Sequence, residues 1–177
     1  MNSIIKGTTT VKFGDDINTD YIIPAYLLQE AWDKRFFADY AFERYSPEFV
    51  KTCRENAKKD NIVVAGKNFG CGSSREQAVY AIQYNFVNAV VAESFPDIFF
   101  RNSINNAFCV VNVESTSDIN LGDKLEIDLE KLVVRGIDGK HFEKQITMSD
   151  EDRSLLISGG RLGKVRDRLR ERLLKAT

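Results

Sequence analysis

The sequence predicts an α/β fold in which a mainly parallel central sheet is flanked by helices, with antiparallel strands added late in the chain. Three short apolar runs, residues 62–65, 89–92 and 108–111, are typical of strands buried on both faces. Segments with helical spacing separate them, and strand–helix–strand units of this length give parallel strands with right-handed crossovers. After Ser115, polar and apolar residues alternate, which indicates a small antiparallel appendix.

Length and composition describe an ordinary globular chain. Its 177 residues suit one domain, residues 1–177, with room for a substantial core. The apolar fraction is 43% and the formal net charge is −1, a balance that does not favour nucleic acid or an anionic membrane as a partner. The first residues lack the apolar stretch of a secretion signal, and no apolar run is long enough to cross a bilayer. We therefore expect the protein in the cytoplasm.

The elements before the first buried run are predicted from local signals. Residues 8–13 alternate as a first strand, and the polar cluster at residues 18–20 predicts a turn. Residues 21–24 are expected to be extended, because Pro24 disfavours helical backbone before it. Aromatic side chains at helical spacing, Trp32, Phe36 and Tyr40, then predict a helix packed on the core. A second helix is expected over residues 46–58.

The stretch at residues 68–77, Asn-Phe-Gly-Cys-Gly-Ser-Ser-Arg-Glu-Gln, is the most informative motif in the chain. It joins a strand to a helix, and its glycines permit unusual backbone conformations and close approach of a ligand. Two hydroxyls and a guanidinium follow at a helix N-terminus, where unpaired N–H groups and the helix dipole favour negative charge. The lysine of a phosphate loop is missing. The motif therefore predicts a site for a small carboxylate.

A simpler interpretation of the same residues is helix capping. Ser73 with Glu76, and Ser74 with Gln77, both have the spacing of a capping box. Capping needs only one serine, however, and requires neither the Gly-Cys-Gly approach nor the arginine. The anion site is the favoured interpretation.

Cysteine and histidine offer little further chemistry. Cys53, Cys71 and Cys109 are widely spaced and contain no Cys-x-x-Cys pair, so they predict neither a disulfide framework nor a complete metal site. Cys71 is interpreted as a small residue that fits the turn. The single histidine, His141, is expected to be exposed beside a hairpin turn rather than to form a catalytic pair.

Two basic features of the sequence each have more than one interpretation. Residues 94–103 predict a helix with Pro96 in its first turn, and Arg101 on it is either a second anion ligand or a surface or subunit contact. After Gly159-Gly160, apolar residues at helical spacing predict a final helix that carries seven basic residues between Arg161 and Lys175. A single basic helix is weak support for nucleic-acid binding, so docking on the domain or on a partner is preferred.

Three motifs together resemble the small subunit of the isopropylmalate/homoaconitate dehydratase family, the stand-alone counterpart of the swivelling domain of aconitase. They are residues 14–24, 69–77 and 94–103, in the order that the family has. The resemblance runs from about Lys6 to about Leu174. It implies a swivelling β/β/α domain with a mainly parallel sheet.

The resemblance also implies an activity and a partner. The family reaction moves a hydroxyl between adjacent carbons of 2- and 3-isopropylmalate, by removing water and adding it back through 2-isopropylmaleate. A [4Fe–4S] cluster on the large subunit supplies the electrophile, and this chain would bind no cofactor or metal. We therefore expect a hydro-lyase subunit that is inactive without a large subunit, takes a small hydroxy-dicarboxylate as substrate, and is able to assemble beyond the heterodimer.

Individual residues take their expected roles from the family motifs. Ser73 corresponds to the base of aconitase, and Asp20 to an active-site aspartate that would orient another group. Arg75 would clamp a substrate carboxylate with its planar guanidinium, helped by Ser74 and by close approach at Gly72. Gln77 stands where aconitase has histidine, which leaves the surroundings of the serine open.

The loop after Pro24 is expected to select the substrate. It carries Tyr26, Leu27 and Leu28, and homoaconitate-type members have an arginine at the position of Leu28. A leucine there favours an alkyl substituent over an extra carboxylate, although Lys34 and Arg35 follow closely. Alternatives are a small subunit for homoaconitate or dimethylmalate, and a carboxylate-binding domain without catalysis.

Overall fold

The structure is a computed structural model that describes residues 2–29, 33–56, 58 and 60–175. Seven strands form one sheet in the order β4-β3-β2-β1-β5-β6-β7. The strands are β1 (Ile4–Lys12), β2 (Asn61–Ala65), β3 (Val87–Ala92), β4 (Cys109–Asn112), β5 (Lys124–Asp128), β6 (Val133–Ile137) and β7 (Glu143–Gln145). The helices are α1 (Thr19–Ile22), α2 (Phe36–Asp39), α3 (Phe49–Glu55), α4 (Glu76–Gln83), α5 (Asp97–Asn105), α6 (Asp150–Ile157) and α7 (Gly160–Lys175).

Strand β1 joins the two halves of the sheet. On one side it pairs in parallel with β2, and β2, β3 and β4 continue in parallel through helical crossovers. On the other side it pairs antiparallel with β5, which leads through β6 to β7. The predicted α/β class is confirmed. The antiparallel strands do not form a separate appendix, as the sequence suggests, but continue the same sheet. They can do so because one edge of β1 is left unpaired by the parallel half and pairs with β5.

The core is richest in aromatic side chains where β1 ends. The ring of Phe13 stacks on Phe42 with 4.7 Å between centroids, and the rings of Phe49 and Phe69 each lie 6.3 Å from it. All five residues of β2 are buried, as the continuous apolar run predicts for a central strand. Phe69 is fully buried and belongs to the 68–77 motif, so the motif is anchored directly to the core.

The prediction of extended backbone from Tyr21 to Pro24 is wrong for most of that stretch. Thr19–Ile22 form one helical turn, because the Asn18 side chain caps it by accepting the Asp20 N–H at 2.8 Å. The influence of proline reaches only the preceding residue, Ile23, whose φ of −145° and ψ of 116° are extended. Local capping outweighs the proline signal here.

The aromatic helix is shorter than its pattern indicates. Among the described residues it is the single turn Phe36–Asp39, and Trp32 lies outside them. Residues 25–29 form a 3-10 turn, and the predicted second helix is present as Phe49–Glu55.

The C-terminal helix is present, but much of its apolar face is not covered by the domain. Helices α6 and α7 are separated at Gly159-Gly160, as predicted. The side chains of Leu162, Val165 and Leu169 are 82%, 52% and 54% exposed. Within the described part of the chain, no helix is long and apolar enough to cross a membrane.

Candidate functional site

Two loops meet at the carboxyl end of the parallel strands, one after β1 and one after β2. The N–H groups of Gly70 and Cys71 both donate to the Ile17 carbonyl, at 2.7 and 3.1 Å. In return, the Cys71 carbonyl accepts from the Thr19 N–H at 2.7 Å. Parallel strands present their carboxyl ends at the same edge of a sheet, where ligands commonly bind. These bonds therefore bring two sequence-distant motifs into one site.

Two aspartates, which the sequence alone does not identify as site residues, hold the second loop. The Asp15 carboxylate accepts the Lys67 N–H at 2.7 Å, and the Asp16 carboxylate accepts the Asn68 side-chain amide at 2.7 Å. In each case the partner lies 52 residues further along the chain. Short polar residues in a turn were the only local signal, and such a signal does not identify a distant partner.

The glycines of the motif are required by its packing. Gly70 and Gly72 have φ of +85° and +96°, in the left-handed region that side chains disfavour. A Cβ on Gly70 would lie 2.3 Å from the Phe99 ring, and one on Gly72 would lie 2.6 Å from Asn18 Oδ1. In this structure the groups that approach the two glycines closely are the protein's own side chains, those of Phe99 and Asn18.

The hydroxyls of Ser73 and Ser74 are on the surface. Both residues are exposed, as is Gly72. Helix α4 begins at Glu76, and its N-cap residue, Arg75, makes no side-chain capping bond. Within the described residues, the two serine hydroxyls have no hydrogen-bond partner, and the Ser74 N–H has none either. A capping box is therefore absent from this part of the structure, and these groups remain available to a ligand.

The guanidinium of Arg75 is oriented by the protein. Arg75 forms an ion pair with Asp20, and its Nη1 also donates to the Ile23 carbonyl at 3.3 Å. The Arg75 side chain is only 14% exposed, whereas that of Asp20 is 51% exposed. Two residues predicted from separate motifs are thus brought together across 55 positions. The result is a fixed positive charge next to two exposed hydroxyls at the N-terminus of a helix.

The predicted specificity loop lies just beyond the carbonyl that Arg75 holds. Tyr26 is exposed, and its hydroxyl donates to the Glu43 carboxylate, a bond that raises the pKa of Tyr26. Leu27 is buried in the core, whereas Leu28 is half-buried. Of the three side chains, only those of Tyr26 and Leu28 are accessible to a ligand.

The cationic residues after the loop differ in their surroundings. The Lys34 ammonium lies 4.1 Å from the centre of the Tyr80 ring, and its hydrogen bond with that tyrosine raises the pKa of Lys34. Arg35 is exposed. Arg101 is exposed on α5, where it lines a cavity of about 890 Å³ between α5 and α6. Gln77 is half-buried in the first turn of α4.

Cys71 and His141 lie where the sequence predicts them, in the turn and on the surface. Cys71 is half-buried in the turn, and burial raises the pKa of its thiol. His141 is exposed. Among the described residues, no group of three or more His, Cys, Asp and Glu side chains is placed to hold a metal ion. The donor set of this part of the chain therefore does not fit an iron–sulfur cluster, which needs several thiolates.

Comparison with known proteins connects this site to a family. Residues 4–116 match the Aconitase C-terminal domain, a match that includes both loops of the site. The 3-isopropylmalate dehydratase small subunit of Methanosarcina acetivorans is 40% identical over 91% of this chain and 96% of its own length. The subunit of the same name from Sulfolobus acidocaldarius is 43% identical over 85% of this chain and 90% of its own length.

A solved structure agrees with these sequences. The crystal structure of 3-isopropylmalate dehydratase (leuD) from Methanocaldococcus jannaschii superposes with a TM-score of 0.85 at 38% identity. The superposition covers 97% of this chain and 99% of that one, so it includes both halves of the sheet. The chain therefore belongs to the family of 3-isopropylmalate dehydratase small subunits, whose shared module is the aconitase C-terminal domain.

Proposed function

We propose that this chain is the small subunit of a cytoplasmic 3-isopropylmalate dehydratase, a hydro-lyase of leucine biosynthesis that interconverts 2- and 3-isopropylmalate through 2-isopropylmaleate. The observation that carries the proposal is the exposed Ser73 hydroxyl beside an arginine that Asp20 holds in place. A dehydration of this kind needs a base for a carbon-bound proton, an electrophile for the departing hydroxyl and cationic anchors for the carboxylates. The site offers the first and the last of these.

Ser73 is the proposed base. In its alkoxide form the Ser73 oxygen would take the proton from the substrate carbon and become a hydroxyl, and it would return to the alkoxide when it gives that proton to the other carbon as water is added back to the alkene. A serine hydroxyl is a poor base in water. The Arg75 charge and the positive end of α4 lower the free energy of an alkoxide at this position, and exclusion of water strengthens both effects.

The substrate carboxylate is proposed to bind between the guanidinium of Arg75 and the exposed turn at residues 72–74, called here the serine turn. The fork of Arg75 is directed by Asp20 and Ile23, which leaves its other N–H groups for a carboxylate. The Ser74 N–H and hydroxyl, which have no partner among the described residues, add donors, and the exposed Gly72 lies next to them. Asp20 acts by orienting the arginine.

The electrophile is proposed to come from a large subunit, where a bound [4Fe–4S] cluster would supply a Lewis acid for the departing hydroxyl. Exposure of Gly72, Ser73 and Ser74 supports this arrangement, because a surface site becomes dry only when another surface covers it. The active site would thus be completed at an interface between two chains. This chain alone would bind carboxylates weakly and turn nothing over.

Selection of an alkyl substituent is proposed for Leu28. Its half-buried side chain offers apolar contact to an isopropyl group, and a carboxylate placed against it would lose hydration without gaining a partner. Lys34, the first cationic residue after the loop in the sequence, is engaged with Tyr80. These contacts support isopropylmalate over homoaconitate.

A serine substitution pair tests the assignment of the base. In complexes reconstituted anaerobically with the large subunit of the same genome, we expect Ser73→Ala to lower kcat by at least about 10³-fold, followed as alkene absorbance. Ser74→Ala is the matched control, which removes a neighbouring exposed hydroxyl and is expected to raise KM by less than about tenfold. Full turnover by Ser73→Ala would place the base elsewhere.

A further inference from the structure

A fully buried threonine lies against the backbone of Ser73. Thr19 is 0% exposed, and its Oγ1 accepts the Ser73 N–H at 3.0 Å. The same hydroxyl donates to the Ser73 carbonyl at 3.3 Å. One side chain therefore contacts the peptide groups on both sides of the exposed serine.

These two bonds restrict the serine at the point where the backbone is least constrained. Gly72, with φ of +96°, comes directly before it, and glycine has the widest range of accessible conformations. With both flanking peptide groups held, the Cα–Cβ direction of Ser73 is fixed, and the hydroxyl is directed without being contacted. The Ser73 N–H is also occupied, whereas the adjacent Ser74 N–H has no partner among the described residues and stays available to an anion.

The hydroxyl of Thr19 has no other partner among the described residues. The helical turn that it belongs to is capped by the Asn18 side chain. The backbone of Thr19 makes its own bonds, from its N–H to Cys71 and from the Ile23 N–H to its carbonyl. Valine has nearly the shape of threonine, so the contribution of the hydroxyl is separable from that of packing.

We propose that Thr19 is a positioning residue, which holds the backbone of Ser73 so that the serine oxygen lies in line with the substrate proton. The proposal rests on the proposed function, since it assigns Thr19 to the base of that reaction. A reacting group that is displaced by about 1 Å loses roughly 10²-fold in rate. Thr19 would therefore affect kcat without touching substrate.

The test compares three variants in the reconstituted two-chain complex. We expect Thr19→Val to lower kcat by about 10²-fold with KM changed by less than about threefold, and Thr19→Ser to restore kcat to within about fivefold of wild type. Thr9→Val is the matched control. Thr9 is also buried, at 1% exposed, and its Oγ1 has no partner among the described residues, so its loss is expected to leave kcat unchanged.

Hydrogen exchange on the unmodified chain provides a second test that does not depend on a variant folding. The Ser73 amide is expected to exchange at least about tenfold more slowly than the Ser74 amide, although both residues are exposed. Equal exchange of the two amides would overturn the proposal.

The kinetic outcomes separate this inference from the proposed function. If Ser73→Ala loses turnover while Thr19→Val keeps it, the positioning role is refuted and the base assignment stands. A change in KM alone, or a loss in Thr19→Ser as large as in Thr19→Val, would also refute it. If Ser73→Ala turns over normally, the proposed base fails, whatever Thr19 does.

Discussion

At the scale of single residues, burial decides which of the three cysteines is reactive. Burial raises the pKa of the Cys53 thiol and that of the Cys109 thiol to about 12 each, and both residues are 0% exposed. The thiolate is the reactive form, so these two are protected by access and by protonation together. Cys71 is half-buried next to the serine turn, and although its pKa is also raised, solvent reaches it.

Thiol labelling tests this difference. At pH 8, iodoacetamide is expected to modify one thiol per folded chain, slowly, and peptide mapping should place it at Cys71. In denaturant all three cysteines should react. Modification of Cys53 or Cys109 in the folded chain would contradict the burial of these two side chains.

Charged pairs show what a sequence leaves undetermined at this scale. Arg75 and Asp20 were each predicted as site residues from their own motifs, but nothing local identifies them as partners, because 55 positions separate them. Thr19 was missed as a contributor, since a threonine in a polar turn has the ordinary meaning of a turn residue.

At the scale of elements, the serine turn depends on the left-handed conformations of Gly70 and Gly72. Gly139, which lies outside this turn, has a φ of +93°, close to the +96° of Gly72, yet the surroundings of these two glycines differ. A Cβ on Gly72 would collide with Asn18, which caps α1, whereas a Cβ on Gly139 would meet nothing within 4 Å. A side chain at Gly139 would cost only backbone strain, whereas one at Gly72 would also displace Asn18, so substitutions at the two positions distinguish these contributions to the free energy of unfolding.

Alanine at the two glycines therefore gives different expected results. Gly139→Ala should lower the free energy of unfolding by about 1 kcal/mol through strain alone. Gly72→Ala should lower it by roughly 2–4 kcal/mol and should also reduce kcat/KM, because Asn18 must move. Denaturant unfolding and the two-chain assay measure these quantities. Equal losses of stability, with activity intact in both, would contradict the packing of this turn.

Most elements could be predicted, since the apolar runs and glycine breaks are local signals. The parallel strands β2, β3 and β4 begin or end within two residues of their predicted bounds. The helical turn Thr19–Ile22 could not be predicted in this way, because its stability depends on the Asn18 cap and not on apolar periodicity. The pairing of β5 with β1 also requires knowledge of which edge remains free.

At the scale of the whole molecule, the two ends of the parallel strands differ in what they contain. At the amino end of β2, the buried Asn61 side chain donates to the carbonyls of Cys53 and Phe86, at 2.9 and 3.1 Å, and accepts from Thr10 Oγ1 at 2.7 Å. Such a satisfied network contributes rigidity. At the carboxyl end, the Ser73 and Ser74 hydroxyls are exposed and unpartnered among the described residues, as a site completed by a second surface requires.

In the proposed enzyme, this chain supplies the base and the carboxylate anchors, and a large subunit completes the active site. The most direct measurement is anaerobic alkene formation by this chain, by a cluster-loaded large subunit of the same genome, and by the two mixed, with isopropylmalate and homoaconitate supplied separately. We expect turnover only in the mixture, with a clear preference for isopropylmalate. Turnover by either chain alone, carboxylate binding without turnover in the mixture, or activity on homoaconitate only would contradict it.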